Sequence, residues 1–234
     1  MNKKIAIIGA MKSEISVFCR DFDAQATDIP GVYRGSFNDK EIYTCLSGVG
    51  KVNAAISVQK LIDTFDIDCI INSGIAGGLS DKLAKLDIVI SEQLTYHDFS
   101  PIDILDRYPP YSRFIKADSE LIDKAETACA ILNKKLKQDG EKTFNTFRGM
   151  IVSGDSFISS AEKAKQLHDE FGALCTEMEG AAVAHTAKVN NIPFVVIRAI
   201  SDFADEDADN SFDLFEKKAA GRSAFIIKET LLLI

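Results

Sequence analysis

Short apolar runs alternate with segments of helical periodicity along the whole sequence, and this alternation limits the fold more than any other feature. The runs at residues 4–9, 68–72 and 194–200 are apolar almost throughout and too short for buried helices. Such runs are typical of strands buried on both faces, in a sheet covered by helices on either side. We therefore predict the α/β class and one domain over residues 1–234, because no linker or repeat interrupts the pattern.

The pattern also predicts the order of the elements. Two strands, 31–37 and 41–46, are expected to form an antiparallel hairpin that turns at Asn38-Asp39. Asp118 and Ser211 stand where N-caps are favoured. The predicted strands are 4–9, 31–37, 41–46, 68–72, 87–91, 149–153 and 194–200, and the predicted helices are 13–20, 52–65, 118–136, 161–171, 179–190 and 211–232. We expect the aromatic segment 94–116 to form a long loop, and loops of that length are usually functional.

The composition argues against several classes of partner. The chain has 27 Lys and Arg residues against 35 Asp and Glu residues, a formal charge of −8, which disfavours nucleic acid or an anionic membrane surface. No apolar run approaches the roughly 20 residues of a membrane span. The run 5–8 is too short for the core of a signal peptide. The five cysteines are scattered without a C-x-x-C pair, which predicts reduced thiols and a cytoplasmic protein.

Three carboxylate sites interrupt or end apolar runs. Glu177-Met178-Glu179 interrupts a run of small apolar residues, Asp202 closes the run 193–200, and Glu14 follows the first strand. A charge in such a segment must be paired, hydrogen-bonded or used, because burying it alone costs on the order of several kcal/mol. Ligands bind at the carboxyl ends of strands in open α/β sheets. The pattern therefore predicts a cleft with carboxylate chemistry.

Polar or glycine-rich segments follow other predicted strands. Residues 47–52 do not form a nucleotide phosphate loop, because Asn53 replaces a required glycine of one motif and Cys45 replaces a required glycine of the other. Residues 73–78 either bring the backbone close to a ligand or make a tight turn. Phe157-Ile158 either covers an aromatic base or serves as a hydrophobic staple for the next helix.

The three histidines share no spacing typical of metal ligands. We expect His168 to be solvated on a charged helix and His185 to be a hydrogen-bonded core residue, and His97 falls in the aromatic loop. No Ser-His-Asp or Cys-His arrangement is recognisable. The sequence predicts neither a metal site nor a cofactor.

Six motifs occur in one order along the chain, and they are Gly9-Ala10-Met11-x-x-Glu14, Ser47-Gly48-x-Gly50-Lys51-Val52, Gly74-x-Ala76-Gly77-Gly78, Ser153-Gly154-Asp155-x-Phe157-Ile158, Glu177-Met178-Glu179 and Arg198-Ala199-Ile200-Ser201-Asp202. Together they resemble the 5′-methylthioadenosine/S-adenosylhomocysteine nucleosidases of the purine nucleoside phosphorylase superfamily. The resemblance implies a three-layer α/β/α domain with a central mixed, twisted sheet. It implies hydrolysis of the N-glycosidic bond of both nucleosides to adenine and a thioribose product, in methionine salvage. It also implies a homodimer in which the loop after Tyr96-His97-Asp98 helps to close the neighbouring site.

The resemblance implies roles for the matching residues. Glu14 would activate water, Asp202 would protonate the purine at N7, and Glu179 would hold the ribose hydroxyls. The other implied substrate contacts are Met178 on the sugar, Phe157 stacked on adenine, the Ile158 backbone at the adenine edge, Ser201 orienting Asp202, Phe212 beside the alkylthio group, and Met11 and Ile75 within their motifs. Family members often carry a hydroxyl or small residue where Ile75 stands, so a side-chain hydrogen bond is lost there. The loop 99–114 also departs from the family pattern, which leaves the preference among 5′-substituents open.

Two carboxyl groups suit the chemistry of N-glycosidic bond cleavage. Cleavage passes through an oxocarbenium-like sugar, so a base for water and an acid for the leaving purine follow the inverting logic of glycosidases. Burial at a strand end would raise the pKa of Asp202 as an acid requires. A purine nucleoside phosphorylase would need arginines for phosphate, and the first-strand loop carries Glu14 instead. A futalosine-type nucleosidase remains an alternative, as does a nucleoside-binding protein, which would need neither Glu14 nor an acid at Asp202.

Overall fold

The structure, a computed structural model, describes residues 2–206 and 208–234, without the side chains of residues 209–214. The strands in these residues are β1 (Lys4–Gly9), β2 (Gln25–Ala26), β3 (Val32–Phe37), β4 (Lys40–Leu46), β5 (Cys69–Gly78), β6 (Ile88–Tyr96), β7 (Ile115–Lys116), β8 (Thr146–Ser153), β9 (Ala173–Glu177) and β10 (Phe194–Asp202). The helices are α1 (Lys12–Asp21), α2 (Lys51–Phe65), α3 (Ser119–Gln138), α4 (Ala161–Phe171), α5 (Gly180–Val189) and α6 (Ala208–Leu233), and a 3₁₀ helix spans Ile102–Arg107.

The strands form one mixed sheet that closes partly on itself. Its order is β10-β6-β8-β9-β5-β1-β4-β3-β2, with β7 beside β6 and with β10 also paired to β5. The pairs β1–β4, β1–β5, β5–β10, β6–β8 and β8–β9 are parallel, whereas β5–β9, β6–β10 and the hairpin β3–β4 are antiparallel. The strands β10-β6-β8-β9-β5 form a closed ring, because β10 pairs with β5 as well as with β6.

Helices cover the sheet on both faces because alternate strand residues point to opposite sides. Ile5 and Ile7 of β1 pack in one core with residues of α1, α3 and α6. Ala6 and Ile8 of the same strand pack in a second core with residues of α2 and α5. A smaller cluster joins Leu167 of α4 to β8 and β9. This arrangement confirms the predicted α/β/α layering with a central mixed sheet.

Most element boundaries match the sequence pattern to within a few residues. The hairpin forms as predicted, with Phe37 opposite Lys40. Asp118 caps α3, since its Oδ1 accepts a hydrogen bond from the Leu121 N–H at 3.0 Å. Helix α6 begins at Ala208 rather than at Ser211, so the prediction of Ser211 as an N-cap is wrong.

Several predicted strand ends are too early. Strand β5 continues through the glycine-rich segment to Gly78, so that segment is not a turn. Strand β10 continues past Ile200 to Asp202 with a register shift against β5. Strand β9 was missed because Thr176 and Glu177 break its apolar character. The parallel strands β1, β5 and β10 have their carboxyl ends at one edge, whereas β8 and β9 run in the opposite direction.

No helix in the described part of the chain is both long enough and apolar enough to cross a membrane.

Candidate active site

A cavity of about 440 Å³ opens where the ends of β5, β9 and β10 come together. Its walls come from the segment after β1, from the ends of β5, β9 and β10, and from the segments after β4 and β8. Nine predicted site residues line it, and they are Met11, Glu14, Ile75, Phe157, Ile158, Met178, Glu179, Ser201 and Asp202. Phe212, the tenth, lies outside the residues whose side chains are described.

Glu14 is buried in the first turn of α1 and is held by backbone donors. Its Oε2 accepts hydrogen bonds from the N–H groups of Ala10 at 2.7 Å and Met11 at 3.0 Å. Its Oε1 accepts one from the Ile75 N–H on β5 at 3.2 Å. Burial raises the pKa of Glu14, while the charge of Arg198 and these N–H groups oppose the rise. The fixed carboxylate is suited to accept a proton.

The carboxylates of Glu177 and Glu179 both lie near Arg198 but otherwise have different partners. Glu177 accepts hydrogen bonds from the N–H groups of Glu179 at 3.0 Å and Gly180 at 2.7 Å, and its charge therefore meets the start of α5. It also bonds to the Ser153 hydroxyl and to the Arg198 guanidinium. Glu177 thus holds β8, β9 and β10 together at the bottom of the cavity.

Glu179 is the carboxylate with more unused bonding capacity. Its Oε1 accepts a hydrogen bond from the Gly50 N–H at 2.8 Å, and its Oε2 lies 3.8 Å from Arg198 Nη2. Burial, together with the charge of Glu177, raises the pKa of Glu179 to about 7. A carboxylate of this kind can accept hydrogen bonds from two neighbouring hydroxyl groups.

Asp202 is buried at the last position of β10. Its Oδ2 accepts a hydrogen bond from the Ser201 hydroxyl at 2.7 Å, and its Oδ1 accepts one from the Ala204 N–H at 2.9 Å. Burial raises the pKa of Asp202, and these two hydrogen bonds only partly oppose the rise. Strand β5 can run beside this carboxyl group because Gly77 has no side chain: a Cβ there would lie 2.8 Å from Asp202 Oδ1.

Phe157 and Ile158 were expected either to cover an aromatic base or to serve as a hydrophobic staple, and the two residues have different surroundings. Ile158 is buried in a cluster with Ala164 and Leu167 of α4, as a hydrophobic staple would be. Phe157 instead lines the cavity and is 46% exposed. Each residue therefore fits one of the two roles.

Arg198 belongs to one of the six motifs, but the sequence analysis assigned it no function. It is fully buried inside β10, and its Nη2 donates to Asn72 Oδ1 at 2.7 Å and to Glu177. A cation in an apolar strand requires a partner. This rule, applied to Arg198 and the nearby pair of glutamates, would have found the interaction from the sequence.

The histidines lie outside the carboxylate cluster. The Nδ1 atom of His168 is 2.8 Å from the Ala173 carbonyl oxygen and the side chain is half-buried, so His168 is less solvated than expected. His185 is half-buried too, with its Nδ1 3.1 Å from the Tyr96 hydroxyl. In the described residues, no three His, Cys, Asp or Glu side chains cluster so as to hold a metal ion.

Comparison with known proteins places the chain in a family. The family described as "Phosphorylase superfamily" matches residues 4–232. A 5′-methylthioadenosine/S-adenosylhomocysteine nucleosidase of Staphylococcus haemolyticus (strain JCSC1435) is 37% identical in an alignment that covers 97% of this chain and 98% of the relative. This chain therefore belongs to the phosphorylase superfamily.

Solved structures agree with this assignment. The nucleosidase of the same name from Neisseria meningitidis, in complex with methylthio-immucillin-A, aligns with a TM-score of 0.87 at 36% identity, over 99% of this chain and 100% of that chain. A futalosine hydrolase mutant of Helicobacter pylori strain 26695 aligns with a TM-score of 0.87 at 31% identity, over 99% of this chain and 100% of that chain.

Gly74 provides a test of the packing beneath the cavity. A Cβ at this position would lie 2.0 Å from Arg198 Nη1 and 2.7 Å from Glu14 Oε1. We predict that Gly74→Ala lowers the free energy of unfolding by about 1–3 kcal/mol through overpacking. The control Gly221→Ala, in α6 with no atom within 4 Å of its Cβ, should be neutral or stabilising by up to about 1 kcal/mol. Urea unfolding that shows equal stability for both variants would contradict the packing account.

Proposed function

We propose that this protein hydrolyses the N-glycosidic bond of 5′-methylthioadenosine and S-adenosylhomocysteine, releasing adenine and the thioribose product. The observation that carries the proposal is a single cavity lined by buried Glu14, Glu179 and Asp202. The names of the Staphylococcus haemolyticus and Neisseria meningitidis relatives support the choice of nucleosides. The reaction would serve methionine salvage and S-adenosylhomocysteine recycling, within one nucleosidase domain that spans residues 1–234.

In the proposed mechanism, Glu14 takes a proton from the attacking water. Three backbone N–H groups hold its carboxylate in one orientation, so the base does not have to be ordered during the reaction. Proton transfer by a positioned side chain contributes typically about 10²–10⁴-fold to the rate. In this mechanism the Glu14 carboxylate, beside Met11 and Ile75, activates the water nucleophile without a metal or a cofactor.

Asp202 is the proposed acid that protonates purine N7. Its raised pKa keeps the proton on the carboxyl group at a higher pH than an ordinary aspartate allows. The Ser201 hydroxyl holds the carboxyl group in place. Protonation lets the purine leave as a neutral base, which lowers the barrier to bond cleavage.

The remaining cavity residues bind the two ends of the nucleoside. The Glu179 carboxylate accepts hydrogen bonds from the ribose hydroxyls, and these bonds strengthen as positive charge develops on the sugar. Met178 packs on the sugar, Phe157 stacks on adenine, and the Ile158 backbone contacts the adenine edge. Met11 and Ile75 complete the described apolar wall, and Phe212 is assigned to the alkylthio group by the family resemblance alone.

Water is the proposed nucleophile, rather than phosphate. Among the described residues, the cavity lining includes no lysine or arginine. Arg198 lies close by but is engaged by Glu177, and Glu14 would repel an anion in the first-strand loop. Phosphorolysis needs a set of cationic or bidentate donors that these residues do not provide.

A panel of nucleosides tests the reaction and its substrate. We expect adenine release from 5′-methylthioadenosine and S-adenosylhomocysteine at the same rate with and without inorganic phosphate. The similarity to a futalosine hydrolase makes futalosine the necessary third substrate. Turnover that requires phosphate would refute hydrolysis, and cleavage of futalosine with neither thionucleoside cleaved would refute the proposed substrate class.

We also propose that the protein is a cytoplasmic homodimer. All five cysteines are free, which suits a reducing compartment. Exposed apolar side chains occur on α2 and on the loop 97–114, and patches of this kind usually mark interfaces. They are Val52, Ile56, Phe99, Tyr108, Tyr111 and Phe114.

A charge in this surface should separate the subunits. We predict that wild-type protein scatters light with twice the chain mass of 25.6 kDa, and that Val52→Glu, at a position that is 66% exposed, shifts it toward the monomer. The control Leu232→Glu, on α6 and 50% exposed, should stay dimeric. A wild-type mass near 25.6 kDa at micromolar concentration would contradict the proposed dimer.

A further inference from the structure

One lysine at the start of α2 joins three loops around the cavity. Lys51 Nζ lies 2.5 Å from Asp98 Oδ1 and 3.6 Å from Asp155 Oδ2. Backbone groups add to these ion pairs, since the Lys51 N–H donates to Asp155 Oδ1 at 2.8 Å and the Asp155 N–H donates to Asp98 Oδ2 at 2.8 Å. We call these three residues the Lys51 cluster. It connects the segments that follow β4, β6 and β8.

The chain neighbours of the Lys51 cluster are residues with proposed substrate roles. Gly50, directly before Lys51, donates its N–H to Glu179 Oε1 at 2.8 Å. Phe157 follows Asp155 by two residues and lines the cavity. The Gly50 N–H that donates to Glu179 and the Lys51 N–H that donates to Asp155 are separated by a single Cα, so a shift of this short segment at the start of α2 displaces both donors.

The cluster is not explained by stability or by anion binding. The side chains of Lys51, Asp98 and Asp155 are 21%, 27% and 48% exposed, and ion pairs at such positions contribute only about 0–1 kcal/mol. Two carboxylates already neutralise the ammonium group, so it is not available to a phosphate. Lys51 Nζ also lies 5.5 Å from the centroid of the Tyr96 ring, which fixes it against the end of β6.

We propose that Lys51, acting with Asp98 and Asp155, is a positioning residue. It holds the Glu179 carboxylate, which binds the ribose, and the Phe157 ring, which stacks on the purine, in a fixed position relative to each other. This role rests on the proposed function, because both substrate contacts belong to it. Lys51 itself acts through the Gly50 N–H and through the segment 155–157.

The charges explain why loss of Lys51 would disturb both contacts. Without the ammonium group, Asp98 and Asp155 face each other as like charges and repel. The segment 155–157 then moves away from the start of α2, and the hydrogen bond from Gly50 to Glu179 lengthens. A misplacement of about 1 Å can cost about 10²-fold in rate even when the change is remote from the chemistry.

The test compares two substrates in matched variants. Lys51→Met removes the charge but keeps the aliphatic stem, and Lys51→Arg keeps a cation that can bond to both carboxylates. The control is Lys228→Met, because Lys228 Nζ forms a similar 2.5 Å ion pair with Asp21 between α6 and α1. For each protein, kcat/KM is measured on 5′-methylthioadenosine and on its 2′-deoxy analogue, together with the melting temperature.

We expect the preference for the riboside over the 2′-deoxy analogue to fall by about 10-fold in Lys51→Met. Lys51→Arg and Lys228→Met should keep the wild-type preference, although the two Met variants lose similar stability. A general loss of folded protein lowers both rates equally and leaves this ratio unchanged, so the ratio reports position rather than stability. If Lys51→Met does not fold, Asp155→Ala, which removes the exposed partner, is expected to lower the ratio in the same direction.

Two results would overturn the role in different ways. A wild-type preference in folded Lys51→Met, or in Asp155→Ala where that variant replaces it, would exclude positioning by Lys51 while the proposed function stands. Wild-type protein that cleaves neither nucleoside would refute the proposed function, and the positioning role with it.

Discussion

The Arg198 guanidinium is buried beneath the cavity, and the charge balance of the surrounding carboxylates depends on it. It bonds to Glu177 and Asn72, and its charge lowers the pKa values of Glu14 and Glu179, which burial raises. Removal of one member of a buried pair costs about 3–5 kcal/mol because the other charge stays uncompensated. The glycine at position 74 follows from the same constraint, since the guanidinium occupies the space that a Cβ would fill.

The two proposed catalytic carboxyl groups differ in their surroundings, which suits them to opposite proton transfers. Burial raises the pKa of both. Glu14 has three N–H donors and a nearby guanidinium, all of which favour the ionised form that a base requires. Asp202 has one hydroxyl and one N–H donor, so its protonated form is opposed less strongly. The partly closed sheet brings these different environments to one cavity, because β5 pairs with β1 on one side and with β10 on the other.

The sequence predicted the α/β layers and the group of carboxylates because both follow from local apolar patterns. The hairpin β3–β4 and the Asp118 cap follow from short-range rules and are confirmed. Pairing between distant strands has no such signal, so the ring of strands was not foreseen. The continuation of β5 through the glycines could not be predicted for the same reason. It depends on contacts with a distant strand, where Asp202 lies beside Gly77 and Arg198 lies beside Gly74. The ion pair of Arg198 with Glu177 could have been inferred from residue types, but its place beneath the cavity could not.

The most direct test of the proposed chemistry is the turnover of Asp202→Asn as a function of pH. Activity that needs the Asp202 proton is present below its raised pKa and is lost as pH rises through that value, so wild-type kcat should fall on the alkaline side. The variant should bind adenine and keep its melting temperature, because the amide oxygen can still accept from the Ala204 N–H, while kcat falls by about 10²–10⁴-fold. A purely structural Asp202 would instead lose about 1 kcal/mol of stability with unchanged turnover. Near-wild-type kcat in the folded variant would contradict the account.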